Sequence, residues 1–168
     1  MKTLFTALLL SVCVGALAQE STSLYASTEN GGQAVSPITT PQKQDNAIII
    51  DTGLNGEEAF MQWGRYLAQN GFAIGDSNKD FLTFTTRPKD TSKLNYHYTI
   101  TSSADEMGKI RLTMRWQKKS SDIVNAPASN FYDWEYSDKA RSVQGLVFKD
   151  VMELVSSFGN YPISVSRL

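Results

Sequence analysis

Two neighbouring stretches alternate apolar and polar residues with a period of two, and no other feature constrains the fold as tightly. In residues 95–102, Tyr96, Tyr98 and Ile100 fall on one side while His97, Thr99 and Thr101 fall on the other. After a loop ending in Gly108, Ile110, Leu112, Met114 and Trp116 alternate with Arg111, Thr113, Arg115 and Gln117. Successive side chains of a strand point to opposite faces, so each segment reads as a strand with one apolar and one polar face. A sheet built on such strands buries one side and needs helices to cover it.

The remaining elements follow from shorter signals. Residues 46–51 (Asn-Ala-Ile-Ile-Ile-Asp) form a β-branched apolar run and read as a buried strand. Asn55 with Glu58 three residues on is a capping-box pattern, and Phe60, Trp63 and Leu67 then form one apolar helical stripe that ends at Asn70-Gly71. Residues 72–75 and 81–86 read as strands around the turn-forming cluster Asp76-Ser77-Asn78-Lys79-Asp80, with Pro88 and Asp90 breaking the second. Residues 118–137 look irregular. A last helix is expected from Ser137 or Asp138, with Ala140, Val143, Val147, Val151, Leu154 and Phe158 on its apolar stripe, and Pro162 is expected to end regular structure. The order β-α-β-β-β-β-α predicts an α+β domain: a mainly antiparallel sheet of four to five strands with both helices packed on one face.

The ends of the chain set boundaries and an address. Lys2, the apolar run from Leu4 to Val14 and Ala16-Leu17-Ala18 match a secretory signal peptide over residues 1–18, cleaved after Ala18. Cys13 follows Val12, a poor match to a lipidation site, so a lipoprotein is the less favoured alternative. Residues 19–44 read as a flexible polar linker, since Ser, Thr, Gly, Pro, Gln and Asn fill 17 of the 26 positions. The folded domain is then expected over residues 45–168, periplasmic or secreted.

Composition removes several classes of function. A single cysteine rules out a disulfide framework and a cysteine-based zinc cluster, and cleavage after Ala18 leaves none. A net charge of −1 and the lack of a polybasic run give no basis for nucleic-acid binding or for electrostatic attachment to a membrane. The first eighteen residues hold an apolar run too short to span a bilayer.

Possible catalytic and metal motifs each fail on a specific residue. Asp51-Thr52-Gly53 resembles the aspartic-protease motif, but Leu54 stands where that family has Ala or Ser, and a capped helix follows. Asp76, Asn78 and Asp80 copy part of an EF-hand calcium loop, yet Phe81 and Arg87 occupy the positions that need Gly and Glu. His97 has the chemistry of a general base but stands among threonines on a strand. No nucleophile elbow, Ser-x-x-Lys, zinc-binding His-Glu-x-x-His or phosphate-binding glycine loop occurs. No cofactor and no metal ligand set is expected.

Two features point to binding. Lys109, Arg111 and Arg115 share one side of a strand with His97 across from them, which suits an anionic ligand. The run Phe131-Tyr132-Asp133-Trp134-Glu135-Tyr136 is the densest aromatic cluster in the exported chain; Tyr132 and Trp134 could form a binding lip, or Phe131 and Trp134 could pack beneath the loop while Tyr136 staples the last helix.

The signal followed by a polar tether and a β-α-β-β-β-β-α domain over residues 46–158 resembles small uncharacterised periplasmic proteins of Gram-negative bacteria. The layout is similar to helix-grip domains of outer-membrane assembly lipoproteins and to single TATA-binding-protein-like repeats. The resemblance implies a non-catalytic interaction module and transfers no functional residue. The expectation is thus an exported binding module of the cell envelope. It would meet another envelope protein or an anionic ligand on its open sheet face at Arg111, Arg115 and His97, or through Tyr132 and Trp134. A homodimer on that face is a further option. The alternative is a small secreted hydrolase or carbohydrate-active protein using Asp133, Glu135 or His97.

Overall fold

The computed structural model describes residues 40–92, 95–119, 130–139 and 141–168. The signal segment, Ala140 and the expected linker up to residue 39 lie outside the described residues. At the near end of that expected linker, Asp45 Oδ2 accepts from the Gln42 amide at 2.7 Å, forming a turn that leads into the first strand.

The chain runs β1 (Ala47–Asp51), α1 (Gly56–Gln69), β2 (Ile74–Asn78), β3 (Thr83–Thr86), β4 (Lys89–Asp90) and β5 (Tyr96–Ala104), then β6 (Lys109–Lys118), β7 (Tyr132–Asp133), α2 (Val143–Ser156) and β8 (Ile163–Ser166). The class is α+β, but the expected four to five strands are corrected to an eight-stranded sheet in the order β2-β3-β5-β6-β1-β8. All the pairings are antiparallel. β4 pairs with β5 beyond the end of β3, and β7 pairs with β6 beyond the end of β1.

Each added strand has a physical reason for escaping a periodicity argument. β4 and β7 are two residues long, too short to alternate. β2 (Ile-Gly-Asp-Ser-Asn) is not an addition but a shift: it lies later than the strand expected at 72–75, because its residues are mostly exposed at the sheet edge and look like turn formers. β8 follows Pro162, which ends nothing: its carbonyl accepts from Asp51 N at 2.9 Å and opens the β1–β8 ladder.

Both helices cover the same face. α1 is capped by Asn55, whose Oδ1 accepts from Glu58 N at 2.9 Å, and its Ala59, Phe60, Trp63 and Leu67 are buried. α2 begins at Val143, five or six residues later than the expected start at Ser137 or Asp138, because Ser142 caps it by accepting from Gly145 N at 3.0 Å. The two helices are tied where Tyr66 Oη donates to Leu154 O at 2.9 Å. Beneath them lie Ile48, Ile50, Ile110, Leu112, Met114, Tyr98 and Ile100, all buried in one core. Burying each large apolar side chain contributes roughly 1.5–3 kcal/mol. Among the described residues, no helix is long and apolar enough to cross a membrane.

Candidate functional site on the open sheet face

Strand register fixes what the uncovered face presents, because residues opposite one another in an antiparallel pair point the same way. Arg111 sits between Ile49 of β1 and Ser103 of β5, and Ser103 in turn faces Thr83. The next row is Ala47, Thr113, Thr101 and Thr85, with the hydroxyls of Thr85 and Thr101 3.0 Å apart. A shallow depression of about 160 Å³ at the β2–β3 side is lined by Asp76, Asn78, Thr83, Thr85 and Thr101. The face is therefore a bed of hydroxyls crossed by cations on β6 and just beyond its end.

Three of these cations are neutralised locally. Lys109 Nζ is 3.9 Å from Asp51, the residue directly across from it. Arg115 Nε is 3.0 Å from Asp133, which β7 places opposite it, and the guanidinium also donates to Phe131 O at 3.4 Å. Lys119 pairs with Asp90, and the same carboxylate lies 2.7 Å from His97 Nδ1. The hydrogen bond from Lys119, joined by its charge and by His97, outweighs partial desolvation and holds the Asp90 carboxyl below its ordinary range. Arg111 differs from these three: it is exposed and, among the described residues, its guanidinium has no ion pair.

The candidate residues separate into three places. Arg111, Arg115 and His97 share the open face, as alternation predicts. Tyr132 lies on the opposite, helix-bearing side, because it is paired with Trp116; its ring is 56% exposed and 5.0 Å from the Trp116 ring. Trp134 belongs to the core at 1% exposure, stacked on Phe148 at 5.6 Å with its Nε1 donating to Gln144 O at 2.8 Å. The binding-lip option for Trp134 is thus corrected to packing: the α2 contact satisfies both its ring and its N–H. The carboxylates expected to work with His97 are engaged elsewhere or exposed, since Asp133 serves Arg115 and Glu135 faces solvent.

Sequence reasoning missed Asp90, which organises His97 and Lys119. Asp90 was read as a strand breaker beside Pro88, and only the β4–β5 pairing brings it opposite His97.

No family model and no curated protein matches the chain. Among solved structures it is similar to a DUF4468 family protein from Bacteroides ovatus at 16% identity. That match covers 67% of this chain and 84% of the other, with a TM-score of 0.36.

Proposed function

We propose that this chain is an exported, non-catalytic binding module whose open sheet face takes an anionic group at Arg111. The supporting observation is a contrast among the cations of the open face. Lys109, Arg115 and Lys119 each have a carboxylate, whereas among the described residues Arg111 has none and is neighboured by Ser103, Thr101 and Thr113. A planar guanidinium with neighbouring hydroxyl donors suits a carboxylate, sulfate or phosphate group.

Amide chemical shifts of the full chain titrated with succinate and with inorganic phosphate test the reading. Perturbations are expected at Arg111, Ser103, Thr113 and Ile49 and should vanish in Arg111→Ala. Shifts that map to another surface, or that survive the substitution, would exclude Arg111 as the site.

A further inference from the structure

Two hairpin tips at one end of the sheet hold large apolar side chains in water. Phe81, between β2 and β3, is 74% exposed, and Met107, between β5 and β6, is 66% exposed. The tips are neighbours, because β3 pairs with β5 and Ala104 N donates to Leu82 O at 3.0 Å.

The same device fixes both turns. Asn78 Oδ1 accepts from the amides of Asp80 at 3.0 Å and Phe81 at 3.2 Å. Asp105 Oδ1 accepts from those of Met107 at 3.0 Å and Lys109 at 2.8 Å. Leu82 is held at φ +46°, a left-handed conformation that a leucine adopts only where its surroundings impose it. Gly108, at φ +75°, closes the second turn by donating to Asp105 O at 3.0 Å. The outward placement of Phe81 and Met107 is therefore built into the turns.

We propose that these tips dock the protein peripherally on a zwitterionic phospholipid surface, with Phe81 and Met107 as its anchors. Single exposed apolar residues are ordinary on a protein surface; here two large ones stand on adjoining tips, and it is that pairing which points to an interaction surface. The choice of partner rests on shape and on charge. A specific protein interface needs roughly 800 Å² of complementary surface on each side, which two side chains by themselves do not offer. A lipid surface deforms around isolated anchors without a preformed pocket. The tips carry both signs, with Lys79 and Asp80 on one and Asp105 and Glu106 beside Met107 on the other. A headgroup bearing a phosphate and an ammonium offers a partner to each, whereas a strongly anionic surface is opposed by the carboxylates. The proposal stands apart from anion binding at Arg111 and does not depend on it.

The test uses the full chain with Cys13→Ser and a nitrobenzoxadiazole probe on Met107→Cys or, in a second sample, on Asn95→Cys at the far end of β5. With phosphatidylcholine–phosphatidylethanolamine vesicles, the probe at 107 should brighten and shift to the blue while the probe at 95 stays unchanged. Phe81→Ser should raise the lipid concentration needed for half the change by about tenfold, the loss expected for one partly buried aromatic anchor. Because the signal reports the surroundings of residue 107, attachment through the apolar residues 4–14 does not imitate it. No shift at 107 on chains that sediment with the vesicles would overturn the proposal. So would equal shifts at both sites, or a stronger response to phosphatidylglycerol vesicles than to the zwitterionic ones.

Discussion

Trp63 Nε1 donates to Ser102 Oγ at 2.9 Å, joining the middle of α1 to the helix-facing side of β5 with both side chains buried. An indole carries one donor, and this hydroxyl is its acceptor in an otherwise apolar layer. Ser102→Ala leaves that N–H without a partner and should cost about 1–3 kcal/mol. Urea denaturation should show a lower midpoint at unchanged slope. In the Trp63→Phe background the same change should cost much less, which a double-mutant cycle would report.

Trp134 and Tyr132 are two residues apart and should behave as opposites. Trp134→Ala removes a buried ring stacked on Phe148 and should cost about 3–5 kcal/mol, in the range of core aromatic truncations. Tyr132→Ala removes a half-exposed ring at the edge of the Trp116 contact and should cost about 1 kcal/mol or less. Equal losses in thermal unfolding would contradict the assignment of Trp134 to the core.

Removing the cations of the open face should leave stability nearly intact. Among the described residues Arg111 has no ion pair, so Arg111→Ala should stay within about 0.5 kcal/mol of the parent. Arg115→Ala breaks an exposed pair with Asp133 and should cost under about 1 kcal/mol. Calorimetry at low and moderate salt checks both values, and a larger loss at Arg111 would reveal a structural role for it.

Asp90 should shape the acid limb of stability. Its carboxyl is held below the ordinary range, first by the Lys119 hydrogen bond and further by His97, so the folded state binds its proton less readily than the unfolded chain. The resulting stabilisation is present above the unfolded carboxylate range, near pH ~4, and fades as pH falls through the lower folded value. Asp90→Asn should remove that part of the acid dependence. An unaltered acid limb in chemical denaturation across pH would show that the pair is spent in solvent screening.

Tyr98 should shape the alkaline limb. Burial raises its phenol well above the ordinary value, and the nearby charge of Asp150 adds to the effect. Stability is then intact below the unfolded tyrosine range, near pH ~10, and is lost as pH rises toward the folded value. Tyr98→Phe should flatten this loss. Tyrosinate absorbance followed alongside unfolding would show whether the Tyr98 proton leaves only as the domain opens.

Helix α1, strand β1 and the two long strands could be read directly because each has a local pattern strong enough to stand alone. The Asn55 cap, the Phe60–Trp63–Leu67 stripe and the alternation around Arg111 and Arg115 all reappear in the structure. The start of α2 was misplaced since Ser142, rather than the residues near Ser137, offers the capping oxygen. The aromatic run 131–136 was ambiguous for a related reason: alternation sends Tyr132 and Trp134 toward the same side, but α2 reaches only over Trp134.

The sequence by itself determined that an α+β domain would expose a polar sheet face bearing Arg111, Arg115 and His97, because strand periodicity is a local property of the chain. Tertiary structure alone decided which charges on that face are satisfied. Asp51, Asp90 and Asp133 come from β1, β4 and β7, and reach Lys109, His97 with Lys119, and Arg115 through pairings between distant segments. Charge composition counts these groups without placing them. Register places them, and among the described residues leaves Arg111 on that face without a carboxylate partner.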